Sequence, residues 1–149
     1  MDALERPHKP VAPAGGASGA AQPDLEVLDP STVRPDLLET LRYEYAGSPA
    51  TVDLSTDEFT AVCPWSGLPD YGTLRVRYLP GEHLLELRSV KFYLLTYRNV
   101  GIYQEHAANR ILEDLVRACS PRWMELELDY RVRGGIHTVV QVRWSGDAP

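Results

Sequence analysis

Cysteine is scarce: Cys63 and Cys119 are the only two in 149 residues. A fold stapled by disulfides is therefore excluded, and two reduced thiols suit the cytoplasm. Long apolar runs are missing as well. There is no hydrophobic stretch near the N-terminus that would serve as a secretory signal and none long enough to span a bilayer, so a soluble cytoplasmic protein is expected. Basic charge is in deficit, with 15 Lys and Arg against 21 Asp and Glu and a net charge of -6. General nucleic-acid binding, which needs a surplus of cations, is excluded, whereas a small polyanion can still use a local basic cluster. Metal-ligand spacing is absent: no two cysteines lie two to four apart and no two histidines share a helix face. His83 and His137 read as solvated residues of a turn and a strand rather than bases for a nucleophile, which disfavours a cysteine protease.

What is present is one domain's worth of chain with 44% hydrophobic residues, enough for a core without staples. Residues 1–24 hold four prolines together with Gly15, Gly16, Gly19 and Ser18, a composition with little apolar bulk to offset ordering. A disordered leader is expected there and a single folded domain over 25–149. Asp29-Pro30-Ser31 and Arg34-Pro35-Asp36 read as turns. Strands are expected over 40–46 and 50–54. Over 71–79, Leu74, Val76 and Tyr78 alternate with Thr73, Arg75 and Arg77, the period of a half-buried strand. Pro80-Gly81-Glu82 then turns the chain, and 83–88 is expected to return as its hairpin partner. Ser89 reads as the N-cap of a short helix over 89–97. A longer helix is expected over 103–118, with Ala107, Ala108, Ile111, Leu112, Leu115 and Val116 on one stripe. A second hairpin follows, in which Met124 to Val132 alternate, Gly134-Gly135 turns, and Ile136 to Trp144 alternate back. The order strand pair, two helices, strand pair implies an α+β fold, an antiparallel sheet with helices on one face. The other face must then be covered or shared with partner subunits.

The stretch 62–70, Val-Cys-Pro-Trp-Ser-Gly-Leu-Pro-Asp, places a thiol and a carboxylate at the two ends of a turn-rich loop. Cys63 and Asp70 could serve as a nucleophile and its proton partner, or as a small buried hydrophobe and a turn former. In the run 86–93, Glu-Leu-Arg-Ser-Val-Lys-Phe-Tyr, Arg88 and Lys91 lie three apart at a helix start, where cations and free amides can bind phosphate or form a solvated basic face. Arg133 beside Gly134-Gly135 is a comparable case. Gln104-Glu105-His106 opens the long helix. Glu105 could favour the positive end of the helix dipole or accept two hydrogen bonds from a guanine-like base.

These pieces in this order, Phe59-Thr60, Cys63-Pro64, Ser66-Gly67, Pro69-Asp70, the 86–93 run, Tyr97-Arg98-Asn99, Glu105, Asn109, Asp114-Leu115 and Arg133-Gly134-Gly135-Ile136, resemble the QueF family. Its members are NADPH-dependent 7-cyano-7-deazaguanine reductases of queuosine biosynthesis, here in the short single-module form, and the likeness spans roughly residues 40–144. The resemblance implies a tunnelling fold, a four-stranded antiparallel sheet with two helices on one face that joins edge to edge into homo-oligomeric rings with active sites between subunits. It implies that Cys63 attacks the nitrile carbon to give a thioimidate and that Asp70 supplies protons. It further implies that Glu105 with Gln104 holds the base in a site lined by Leu85, Glu86 and Leu87. Arg88, Ser89, Lys91, Arg133 and Gly134 are expected at the phosphates of NADPH. The implied partners are a small deazaguanine and further copies of the chain, with no direct nucleic acid and no membrane. Two positions depart from the family pattern. Gln104 replaces a histidine and cannot supply a proton, and Arg88 replaces a lysine with its charge kept. His106 would point about 100° away from Gln104 on a helix and does not stand in for that histidine. Two other functions share these residues: a QueF-like amidinotransferase acting on deazaguanine in tRNA, and a non-catalytic deazapurine-binding homologue.

Overall fold

The computed structural model describes residues 24–146. The expected leader, apart from Asp24, lies outside the described residues. Six strands and two α-helices follow two short 3-10 turns: β1 (Thr40–Arg42), β2 (Val52–Val62), β3 (Pro69–Leu79), β4 (His83–Leu85), α1 (Leu87–Leu95), α2 (Gln104–Cys119), β5 (Trp123–Tyr130) and β6 (Val139–Ser145).

 The helix α1 spans Leu87–Leu95, and the four long strands form one antiparallel sheet in the order β2-β3-β5-β6.

Alternation along the strands decides which side is buried. Leu74, Val76 and Tyr78 of β3 stand opposite Leu128, Leu126 and Met124 of β5, and all six are at most 3% exposed. The intervening pairs, Arg75 with Glu127 and Arg77 with Glu125, stand on the other face. That face is tied by Arg75 to Glu127 at 2.6 Å and by Gln141 to Glu127 at 2.6 Å. It is therefore a polar ladder rather than a second apolar layer, and it needs no cover to satisfy its side chains. The apolar stripe of α2, with Ile111 and Leu115 fully buried, joins Tyr93 of α1 and the inward sheet residues in one core. The α+β architecture and both helices stand as expected, and no helix among the described residues is long and apolar enough to cross a membrane.

Several local expectations are corrected. The hairpin between 71–79 and 83–88 does not form. Both edges of β3 are occupied, by β2 and β5, so β4 pairs instead with β1 through Thr40–Leu85, Leu41–Leu84 and Arg42–His83. Glu86 and Arg88 leave that strand for the start of α1. The helix cap is Glu86 rather than Ser89, because its carboxylate accepts from the amides of Arg88 at 2.9 Å and Ser89 at 2.7 Å. The strand expected over 40–46 ends at Arg42, where the chain enters a turn closed by Gly47 at φ 93°. The one expected over 50–54 runs on to Val62, with a bulge between Thr56 and Phe59 that restores the inward phase for Phe59 and Ala61. The final hairpin is narrower at its tip than the alternation implies, since β5 stops at Tyr130 and β6 begins at Val139.

Candidate active site

β2 and β3 are neighbours in sequence and in the sheet, so residues 63–68 form the connection between their ends. The Cys63 amide donates to the Leu68 carbonyl and the Gly67 amide to the Cys63 carbonyl, both at 2.9 Å. Gly67 takes φ 69°, a left-handed turn that glycine makes without strain. Cys63 thus sits in a tight, closed loop. Asp70 does not. It is the second residue of β3, on the same face as Gly72, Leu74, Val76 and Tyr78, and it is 3% exposed. The period-two pattern that placed those residues inward would have placed this carboxylate inward too.

A buried carboxylate needs a partner. Asp70 finds it in Arg133, whose guanidinium donates to it at 2.5 Å. The same guanidinium also donates to the Cys63 sulfur. Burial opposes the Cys63 thiolate, but the Ser66 hydroxyl, the amides of Ser66 and Trp65 and Arg133 all donate to it, and the thiol is lowered to about 7 from an ordinary 9.0. Cys119 behaves oppositely: it is fully buried in the core, and that burial pushes its thiol up to about 12.

Tyr130 lies between this group and the start of α2. Its hydroxyl donates to the Gln104 carbonyl at 3.3 Å. Burial above all, then the charges of Asp70 and Glu105, raise its pKa well beyond the ordinary 10.0. Glu105 is exposed at the first turn of α2, and among the described residues no side chain pairs with its carboxylate. Next to it, the Trp65 indole donates to the Tyr103 hydroxyl at 2.6 Å, joining the Cys63 loop to the residue that precedes α2. Tyr130 and the Trp65–Tyr103 bond were not singled out from sequence, and Ser66 entered only as part of the Ser66-Gly67 motif, with no role at the sulfur. For Tyr130 the alternation of β5 pointed only to a core residue.

Leu85, Glu86, Leu87, Arg88, Ser89 and Lys91 form a separate group at the β4–α1 junction. A recess of about 380 Å³ there is lined by Leu37, Glu39, Glu86, Arg88, Ser89 and Phe92. Leu85 is buried and Leu87 exposed. The amides expected to receive a phosphate are spent on Glu86, and the Ser89 hydroxyl donates to the Glu86 carbonyl at 2.7 Å and accepts from the Glu39 amide at 2.9 Å. Anion binding at this helix start therefore falls to the side chains of Arg88 and Lys91, the latter exposed and 3.7 Å from Glu58. With Arg133 and Gly134, where added bulk at the glycine would meet nothing within 4 Å, these cations fit a phosphate-bearing cofactor through charge and access rather than through a helix-terminal cradle. Among the described residues no hydrogen bond or ion pair joins the β4–α1 residues Leu85 to Lys91 to Cys63 and Asp70. No cluster of three or more His, Cys, Asp or Glu able to hold a metal occurs among the described residues.

A family model described as QueF-like protein matches residues 69–148. The NADPH-dependent 7-cyano-7-deazaguanine reductase of Caldicellulosiruptor bescii is 50% identical over 109 residues, covering 73% of this chain and 83% of that protein. The protein of the same name from Chloroherpeton thalassium is 41% identical over 115 residues, 77% of this chain and 99% of the relative. Among solved structures, the archaeosine synthase QueF-Like in its apo form superposes with a TM-score of 0.62 at 28% identity, over 68% of this chain and 99% of that one.

Proposed function

The chain belongs to the QueF family, and from that premise we infer that it is an NADPH-dependent 7-cyano-7-deazaguanine reductase, converting the nitrile to the aminomethyl group of 7-aminomethyl-7-deazaguanine for queuosine biosynthesis. The observation that carries the chemistry is the Cys63 thiol lowered to about 7 and linked to Asp70 through their shared partner Arg133. At neutral pH a large fraction of such a thiol is thiolate, the form that attacks.

In this reading the Cys63 sulfur bonds to the nitrile carbon, one C–N π bond opens, and the proton lost by the thiol reaches nitrogen through Asp70, leaving a thioimidate. When bound, NADPH would supply one hydride per molecule, and two molecules would be needed in turn because a nitrile becomes a primary amine only after four electrons. Asp70 delivers protons to nitrogen, and Cys63 leaves as thiolate once the carbon no longer needs it. Glu105 and Gln104 orient the base from the start of α2, with Leu85, Glu86 and Leu87 lining the site. Arg88, Lys91, Arg133 and Gly134 hold the cofactor phosphates, and Ser89 supports them by anchoring the helix start. A nucleophile that must stay a free thiol suits the reducing cytoplasm.

The site is completed between copies of the chain in a tunnelling-fold ring. Support comes from the two open edges of the sheet, β2 and β6, and from the exposed Leu87 and Leu95 on α1, beside a cleft of about 530 Å³ against β2. The separation of the β4–α1 group from Cys63 within one chain points the same way.

The test is the full chain mixed with 7-cyano-7-deazaguanine and NADPH. Consumption of NADPH that is abolished, together with the covalent adduct, by Cys63→Ala is the expected result. A persistent adduct without NADPH consumption would favour the amidinotransferase reading suggested by the archaeosine synthase neighbour, and no adduct would favour a non-catalytic binder. Lys91→Ala is expected to weaken NADPH binding and leave adduct formation intact.

A further inference from the structure

Arg133 stands at the end of a short rigid arm. Beyond Tyr130 the Arg131 amide donates to the Tyr71 carbonyl at 2.9 Å, which fixes the arm one residue away from Asp70. At the tip, Arg133 and Ile136 exchange backbone hydrogen bonds, both 2.9 Å, around Gly134 and Gly135 at φ 55° and 79°. A two-residue turn with both central residues left-handed matches the twist of a hairpin and holds a single shape. The arm therefore presents the guanidinium to Asp70 at 2.5 Å and to the sulfur of Cys63, although Arg133 itself keeps 43% of its side chain exposed.

We propose that Arg133 is a catalytic residue of this reaction, the counter-ion that holds the Cys63 sulfur as thiolate and orients the Asp70 carboxylate beside it, and not only a distant grip for a cofactor phosphate. The proposal rests on the reading of Cys63 as nucleophile. Asp70 and Cys63 are both partners of Arg133, and two anions gathered there without a cation would repel each other and disfavour the thiolate. A guanidinium removes that conflict because it stays charged and offers several N–H donors in one plane, enough to serve sulfur and carboxylate together. The lowering of the Cys63 thiol to about 7 has Arg133 among its causes, after Ser66 and Trp65. The same contact acts twice. When sulfur adds to carbon its charge is lost and the guanidinium remains on Asp70. When the C–S bond later breaks, the electron pair returns to sulfur and Arg133 receives the charge, easing departure.

The test is alkylation of Cys63 by iodoacetamide as a function of pH, followed by intact mass on the full chain without substrate or cofactor. Wild type is expected to be half-reactive near pH 7. Arg133→Met is expected to move that midpoint to higher pH and slow the reaction at pH 7 by about threefold or more, with Arg133→Lys between the two, since an ammonium keeps the charge but lacks the planar fork. Arg131→Met, which removes the neighbouring cation over the Tyr71 ring, is expected to leave the profile in place. Continued protection of Cys119 reports that each variant is folded. An Arg133→Met profile superimposable on wild type, with only the KM for NADPH raised, would overturn the proposal and leave Arg133 a cofactor ligand. Because the alkylation involves neither nitrile nor NADPH, a failure of nitrile reduction and a failure of this proposal give different results.

Discussion

Asp70 and Arg133 are 63 positions apart in the chain and 2.5 Å apart in space. The same guanidinium also acts on the Cys63 thiol, which is lowered to about 7. A carboxylate on the buried face of a strand, a cation on a glycine turn and a thiol in a proline-bounded loop are the parts that the proposed nucleophile and proton carrier need.

Adduct formation with the nitrile should follow the ionisation of Cys63. The folded thiol is lowered to about 7, so the thiolate predominates above that pH and is lost as pH falls through it. The rate is expected to be level above about pH 8 and to drop roughly tenfold per unit below about pH 6. Ser66→Ala, which removes the leading donor to the sulfur, is expected to move the whole profile to higher pH, as measured by mass spectrometry of the adduct.

Only one thiol should react in the folded protein. Cys119 is fully buried and its thiol pushed up to about 12, so iodoacetamide is expected to add once to wild type and not at all to Cys63→Ala. Denaturation is expected to release the second equivalent. Labelling of native Cys63→Ala would show that the end of α2 opens.

Asp114 is 6% exposed and accepts from the Tyr93 hydroxyl at 2.7 Å, while Arg110 and Arg117 approach at 3.8 and 3.4 Å. Asp114→Ala removes that acceptor, leaves the Tyr93 hydroxyl only the Tyr97 hydroxyl at 2.9 Å, and is expected to cost about 1–3 kcal/mol, seen as a melting temperature lowered by several degrees. Tyr93→Phe in the same background is expected to add much less than it does alone, because the two positions share one interaction.

Gly101 lets the N-terminal segment pass close to the Cys63 loop. A Cβ there would lie 2.4 Å from Cγ1 of Val27 and 3.3 Å from Cα of Pro64, on a stretch where the Leu28 carbonyl accepts from the Gly101 amide at 2.9 Å. Gly101→Ala is expected to destabilise the domain by about 1–3 kcal/mol in denaturant unfolding. Val27→Ala added to it should recover part of that loss by removing the clashing methyl. No recovery would mean that the contact with Pro64 dominates.

Much of the fold was legible where the pattern was local. The alternation of Leu74, Val76 and Tyr78, the stripe of α2 and the Gly134-Gly135 turn each express a period or a backbone preference carried by neighbouring residues. The return strand at 83–88 was misread for a different reason. A turn and an apolar run say that the chain reverses but not which edge is vacant, and both edges of β3 are filled by strands whose residues are distant in sequence or lie before it. The cap at Glu86 was missed because a serine three residues on carries the same local signal.

By itself the sequence determined that an α+β fold forms, that Cys63 lies in a turn-rich connection a few residues before Asp70, and which family motifs the chain carries. Those properties depend on residue order over short spans. Only the tertiary structure decided that Asp70 faces the core, that Arg133 lies against both Asp70 and the sulfur, and that Glu86 occupies the amides at the start of α1. Each of these is a contact whose partner is chosen by strand register and burial, and a charge buried at a sheet's end takes whichever cation the register delivers.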